Sequence, residues 1–345
     1  MKANADGPLI DVRELKKYYP LRGGIFGKKI GDVRAVDGVS FAVRAGETLG
    51  LVGESGCGKS TLGRTVMRLE EPTDGRILFE GVDLTDVAGA ELFPLRRDVQ
   101  MIFQDPYSSL NPRMTVGEIV REPLIVHRVG GRDEQMEKVR ALLDTVGLGD
   151  ETLERYPHEF SGGQRQRIGL ARALALDPKL VIADEPVSAL DVSVQSQVLN
   201  LMGRLQQEHG LTYLFISHDL SVVRHVSDTV AIMYLGRIVE KGPTERVFAR
   251  TGHPYTRALL DAVPLPDPRR RRAAAPVKGE SPSAVSPPPG CSFHPRCPFA
   301  VEACTQIVPP LEQFEQVGHI SACLRKEEIK EQLGHGAVTG VQPAG

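Results

Sequence analysis

Nine consecutive residues, Gly53-Glu54-Ser55-Gly56-Cys57-Gly58-Lys59-Ser60-Thr61, carry the types and spacing that grip phosphate. They fit G-x-x-x-x-G-K-[ST]. Glycines let the backbone wrap an anion and turn successive N–H groups inward. Lys59 then reaches the β- and γ-phosphates, and the Ser60 hydroxyl is placed to ligate Mg²⁺. Downstream, the apolar run Leu180-Val181-Ile182-Ala183 ends in Asp184 and Glu185. Behind a phosphate loop, Asp184 serves Mg²⁺ and Glu185 polarises an attacking water. Gln104 and His218 each follow an apolar run, at the strand end where α/β sheets bind ligands. Gln104 there can touch a metal or a water, and His218 can face a γ-phosphate. A second anion site opens at Ser161-Gly162-Gly163-Gln164, where Ser161 is an N-cap and the glycines expose backbone N–H groups. One chain has no evident need of two phosphate sites, so the second suits a partner's nucleotide. Taken singly, a loop glutamine, a lone histidine or a Gly-capped loop has an ordinary structural reading; the phosphate loop upstream changes it.

The elements that must position these groups can be read in order. Leu9–Leu15 alternates as a half-buried strand, Tyr18-Tyr19-Pro20 ends it, and Leu21–Val33, rich in Gly and Lys, reads as a loop. An aromatic there can stack on a nucleobase or simply pack. Arg34–Val43 reads as a second strand, Thr48–Val52 as the strand feeding the phosphate loop, and Leu62–Leu69 as the helix leaving it. Gly75–Gly81, Val99–Gln104, Leu180–Asp184 and Thr212–Ser217 read as further strands, and Thr229–Lys241 as a closing hairpin. Between residues 105 and 178 the pattern turns helical, with apolar spacing near three and four over Val116–Val126 and Gln135–Val146. That block reads as a helical subdomain inserted in an α/β core.

The chain has 345 residues, 41% of them hydrophobic and 25% charged, room for one large domain and a small one. A net charge of −2 gives no reason to expect nucleic acid as partner. No apolar run approaches the ~18 residues of a membrane span, and the first residues lack the apolar core of a signal peptide, so a cytosolic chain is expected. Residues 263–290, with many prolines and the run Arg269–Arg272, read as an extended linker. Beyond it lie Cys291, Cys297, Cys304 and Cys323, four of the five cysteines. In a reducing compartment such a cluster favours a metal over disulfides. The close cysteine pair of structural zinc sites is missing, and so is ferredoxin spacing, so iron–sulfur, zinc and free thiols all stay open on spacing alone. His294 and His319 are substitutes should one cysteine not ligate. Cys57 reads as a tolerated thiol inside the phosphate loop.

With these motifs assembled, residues 8–262 resemble the ATPase domain of ATP-binding cassette (ABC) transporters. Gly53–Thr61 looks like the Walker A loop and Leu180–Glu185 like the Walker B strand. Ser161–Gln164 looks like the cassette signature, Gln104 the Q-loop, Ser188–Asp191 the D-loop and His218 the switch histidine; Tyr19 takes the adenine-stacking position. Gly53–Thr61, Phe103–Pro112, Asp184–Asp191, His253-Pro254-Tyr255-Thr256 and the cysteine tail are more narrowly similar to oligopeptide and dipeptide importers, in their second, F-type ATPase. Nickel and glutathione importers share these features. Soluble cassette ATPases usually carry two cassettes or a coiled-coil insertion, and exporters are often fused to membrane spans; neither feature is present.

The resemblance implies an α/β phosphate-loop NTPase with a helical subdomain at 105–178 and a C-terminal cysteine region at 291–330 holding a [4Fe-4S] cluster. It implies an ATPase with ATP and Mg²⁺ bound by Tyr19, Gly53, Ser55, Gly56, Cys57, Gly58, Lys59, Ser60, Thr61, Gln104 and Asp184, with Ser161, Gly162, Gly163 and Gln164 reaching a partner's ATP. Glu185, His218 and Gln104 are its catalytic set, and Ser60, Gln104 and Asp184 its Mg²⁺ ligands. The implied partners are a second, paralogous ATPase subunit, two integral membrane permeases and an extracytoplasmic peptide-binding protein. The implied location is peripheral, on the cytoplasmic side of the membrane.

Overall fold

The computed structural model describes residues 7–23, 27–87, 89–105, 107, 109–263, 279–280 and 282–334. The Arg269–Arg272 run and most of the expected linker lie outside the described residues.

The strands are β1 (Ile10–Gly23), β2 (Lys28–Val43), β3 (Thr48–Val52), β4 (Asp74–Phe79), β5 (Val82–Asp83), β6 (Val99–Ile102), β7 (Leu180–Asp184), β8 (Thr212–Ser217), β9 (Thr229–Tyr234), β10 (Arg237–Pro243), β11 (Glu312–Gln313) and β12 (Ile320–Ser321). The helices are α1 (Lys59–Val66), α2 (Leu92–Asp98), α3 (Val116–Val126), α4 (Arg132–Thr145), α5 (Gly162–Leu174), α6 (Val192–His209), α7 (Leu220–Val226), α8 (Thr244–Ala249), α9 (Pro254–Ala262), α10 (Glu302–Gln306) and α11 (Lys326–Gly334). Among the described residues they form a sheet ordered β2-β1-β4-β5 and a larger one ordered β11-β12-β10-β9-β3-β8-β7-β6.

The centre of the larger sheet is parallel: β3 lies between β8 and β9, and β7 between β8 and β6. Its strands are mostly apolar and almost wholly buried because both faces are covered. Period-two alternation sorts their side chains into two cores. Leu49, Leu51, Leu180, Ile182, Leu214 and Ile216 face α1 and the smaller sheet. Val181, Ala183, Tyr213 and Phe215 face the helices, with Val198 and Leu205 of α6. Helix α1 touches β1 and β2 on one side and β7 and β8 on the other, so the helix that begins at the phosphate loop is held between two sheets. Helices α3, α4 and α5 pack on one another. Thr115 and Glu118 close a capping box at the start of α3, which fixes where that block begins.

Two features differ from the sequence reading. Leu21–Val33, expected as a loop, is largely strand: Leu21 pairs with Gly31 and Tyr19 with Val33, so β1 and β2 form one long hairpin. Gly and Lys are poor strand formers, but backbone pairing to a long partner overrides that weak preference. The cysteine-bearing tail, read as a small second unit, continues the main sheet, with Glu240 opposite Ser321 and Lys241 opposite Ile320. There the buried Glu240 carboxylate accepts from the Gly252 and His253 N–H groups, and His319 Nε2 lies 2.7 Å from its Oε1. A carboxylate 0% exposed is tolerable only with such a full set of partners.

Candidate active site

The phosphate loop joins β3 to α1. Gly58 sits at φ +107°, and a Cβ on it would stand 1.9 Å from Ala35 O. A Cβ on Gly53 would stand 2.2 Å from Met233 O. Both positions therefore need glycine for space, and Gly58 for conformation as well. The Gly236 N–H donates to Cys57 O (2.9 Å), so the β9–β10 turn anchors the loop backbone. Cys57 itself points inward and is buried, and burial pushes its thiol up; its part in the loop is its backbone. Lys59 is 4% exposed, and its ammonium donates to Gly53 O (2.7 Å) and Glu54 O (3.0 Å). Those carbonyls satisfy its buried charge. The first N–H groups of α1 have no intrahelical acceptor and carry the positive end of the helix dipole toward the same space.

At the carboxyl ends of β3 and β7, Ser60 Oγ donates to Asp184 Oδ1 (2.8 Å). Asp184 is 1% exposed, and burial raises its pKa, with the Ser60 hydrogen bond partly opposing that. A hydroxyl and a buried, destabilised carboxylate in contact form a donor set that fits a hard cation such as Mg²⁺. Glu185 follows with its backbone in the left-handed region, φ +48°, fixed by its N–H donating to Ile216 O (2.9 Å). That turn aims the carboxylate out of the strand line. Two groups meet on its Oε2: Gln104 Nε2 at 3.1 Å and His218 Nδ1 at 3.2 Å. Three residues up to 114 positions apart in sequence thus converge on one oxygen. Nothing local in the sequence encodes their meeting.

The signature segment opens α5. Ser161 and Gln164 form a reciprocal capping box, Ser161 N–H to Gln164 Oε1 (3.0 Å) and Gln164 N–H to Ser161 Oγ (3.4 Å). A Cβ on Gly163 would stand 2.2 Å from Val194 Cγ1, and one on Gly162 3.2 Å from Leu190 Cδ2. The segment therefore packs on the start of α6, whose N-cap is Asp191. Ser188 Oγ donates to the Glu185 backbone O (3.0 Å), tying this loop to the backbone of the residue that bears the carboxylate. Tyr19 lies half-buried on β1; its hydroxyl contacts Glu70 just beyond α1, and Lys17 stands over its ring. The Tyr18 hydroxyl contacts Asp37, which Arg237 also holds.

Cys291, Cys297, Cys304 and Cys323 line one cavity of about 20 Å³, larger than a single water requires, together with His294 and Arg325. None is in a disulfide. Burial pushes Cys297 up to about 11 and Cys323 up to about 12. Among the described residues, no group of three or more His, Cys, Asp or Glu is arranged to hold a single metal ion. His319 is committed to Glu240, whereas His294 stands at the cavity with Nδ1 2.9 Å from Cys291 O.

Contacts that the sequence reading did not foresee also hold the loop. The Glu54 N–H donates to Tyr255 Oη (2.9 Å), and the Glu54 carboxylate pairs with Arg296 of the tail. Their separation, 242 positions for Glu54 and Arg296, leaves no local signal.

Comparison with known proteins agrees with this geometry. Residues 36–188 match the ABC transporter family, and residues 239–304 match the oligopeptide/dipeptide transporter C-terminal region. The chain is 53% identical over 326 residues to the oligopeptide transport ATP-binding protein AppF of Bacillus subtilis, covering 94% of this chain and 99% of that one. It is 52% identical over 316 residues to the dipeptide transport ATP-binding protein DppF of Haemophilus influenzae, covering 92% and 96%. Among solved structures, an ATP-binding cassette dimer in a post-hydrolysis state with ADP and Pi matches with TM-score 0.61 and 28% identity, over 68% of this chain and 98% of that one. With the phosphate loop, the paired carboxylates and the cysteine-bearing tail on one fold, the chain belongs to the ATP-binding subunits of oligopeptide/dipeptide ABC transporters, whose ATP hydrolysis drives peptide import.

Proposed function

We propose that this subunit closes head to tail on a second, paralogous ATPase subunit. Each ATP then lies between Gly53–Thr61 of one subunit and Ser161–Gln164 of the other. The observation that carries the hydrolytic assignment is the convergence of Gln104 and His218 on Glu185 Oε2, beside the Ser60–Asp184 contact. Glu185 takes the proton of the attacking water, and His218 and Gln104 orient that carboxylate. Lys59 leaves the carbonyls of Gly53 and Glu54 for the phosphates, and Tyr19 stacks on the adenine. Mg²⁺, when bound, would supply positive charge against the negative charge developing on the phosphates; Ser60 and Asp184 would hold it, with Gln104 beside them. Gln104 opens the helical block, so a change at the nucleotide moves that block. Two integral membrane permeases and an extracytoplasmic peptide-binding protein complete the importer, and this subunit sits on the cytoplasmic face. No helix among the described residues is long and apolar enough to cross a membrane.

The four tail cysteines hold a [4Fe-4S] cluster in the same reading. Support comes from the donor set, four free thiols lining one cavity. Its contribution is structural: the tail strands are two residues each, and a cluster fixes what so little core cannot. Two measurements test these assignments. The tagged chain, extracted from membranes, should co-purify with a second ATPase and two membrane subunits; recovery with ribosomes or DNA overturns the import assembly. Anaerobic preparations should be brown with about four irons per chain; stoichiometric zinc without iron overturns the cluster and leaves the ATPase reading intact.

A further inference from the structure

Glu54 puts a carboxylate inside the phosphate loop. Its carboxylate sits one position from the glycine that opens a site for a strongly anionic ligand. The tail answers that charge. Arg296 closes a two-pronged pair on it, Nη1 to Oε2 at 2.9 Å and Nη2 to Oε1 at 3.1 Å. The Arg296 side chain is 9% exposed and the Glu54 side chain 28%, so the pair is shielded from solvent on the arginine side. Arg296 Nη1 also reaches Tyr234 Oη (3.4 Å). Tyr234, Tyr255 and Phe293 pack ring to ring with centroids 4.6 to 5.4 Å apart, and all three are essentially buried. Tyr255 Oη accepts from the Glu54 N–H (2.9 Å), so backbone and side chain of Glu54 are both held from this cluster. Phe293 and Arg296 belong to the tail, between Cys291 and Cys297.

The backbone of Glu54 links this pair to ATP. Its carbonyl is one of the two seats of the Lys59 ammonium, and it also accepts from the Cys57 N–H (3.2 Å). A carboxylate released from Arg296 would repel the incoming phosphates and compete with them for Lys59. We propose that Arg296 is a positioning residue for ATP binding: it neutralises Glu54 and holds the phosphate loop open for phosphate, making the cysteine-bearing tail part of the nucleotide site's support. The proposal stands on the Glu54 pair and does not depend on which metal the cysteines hold.

The test is a double-mutant cycle on the full-length chain, read by titration with a fluorescent ATP analogue and by KM and kcat of the assembled transporter. Arg296→Ala removes both prongs of the pair; it should weaken nucleotide binding and raise KM about tenfold, the order of a charge-assisted contact, with kcat within twofold. In the Glu54→Gln background, where no charge needs neutralising, the same change should cost less than about twofold. Arg296→Lys keeps the charge without the fork and should fall between, at about threefold. It also serves as the test if Arg296→Ala fails to fold. Iron content and absorbance near 400 nm, followed in each variant, separate this effect from loss of the tail. Equal losses in the parental and Glu54→Gln backgrounds, or binding unchanged in both arginine variants, would overturn the proposal.

Discussion

Replacing Glu185 by glutamine isolates one quantity, the negative charge at the point where Gln104 and His218 meet. The side chain keeps its length and an acceptor oxygen for the 3.1 Å bond from Gln104. The left-handed backbone at φ +48° is set by the Glu185 N–H to Ile216 O bond, which the change does not touch. Ser60, Asp184 and Lys59 are also untouched, so ATP and Mg²⁺ should bind as before. Only proton acceptance is lost. A positioned general base contributes roughly 10²- to 10⁴-fold, which at about 1.36 kcal/mol per tenfold is ~2.7 to ~5.4 kcal/mol of barrier. Phosphate release by the assembled transporter should therefore fall to about 1% or less, while ATP-analogue affinity of the isolated chain stays within twofold. Glu185→Asp provides the geometric control, since it keeps the charge but withdraws it by one methylene from His218 and Gln104. It should also lose about 10²-fold, through misplacement. Hydrolysis by the glutamine variant within tenfold of the parent, or an equal loss of binding, refutes the reasoning.

Three further outcomes are expected. Ser161→Arg places a cation where a partner's phosphates must reach the α5 N-terminus, so ATP binding by the isolated chain should survive while ATP-dependent dimerisation with the native partner ATPase disappears in size-exclusion runs; undiminished dimerisation counts against the head-to-tail arrangement. Gly58→Ala would set a methyl 1.9 Å from Ala35 O at φ +107°, so nucleotide binding should be abolished even where circular dichroism reports a folded chain, and parental affinity would contradict the loop geometry. His253 is fully buried, and burial depresses its pKa from 6.5 to about 3, so the native state stays neutral while the unfolded state takes up a proton. Stability is then complete above about pH 6.5 and falls below it by up to ~1.4 kcal/mol per pH unit. His253→Asn, which can still cap the Tyr255 N–H, should flatten that slope in urea melts, and an unchanged slope would reject the assignment.

The sequence alone determined the parts of the site whose constraints are local. Gly53–Thr61 is legible because a phosphate-wrapping turn needs glycines and a helix start within nine residues. Apolar runs ending at Asp184, Gln104 and His218 are legible because buried parallel strands have few polar positions except at their ends. The helical block from 105 to 178 showed in its period, and the Ser161–Gln164 cap in its spacing. Tertiary structure decided what depends on distant partners. The Leu21–Val33 stretch became hairpin because β1 offered it a backbone ladder, which composition does not record. Glu185 acquired its direction from Ile216 and its two neighbours from other strand ends. The tail joined the main sheet through Glu240 and His319, and reached the phosphate loop through Arg296 and Glu54. Each of those pairs buries charge, and a buried charge is stable only beside its complement. Which complement it meets is settled by how the chain packs, across 79 positions in one case and 242 in the other.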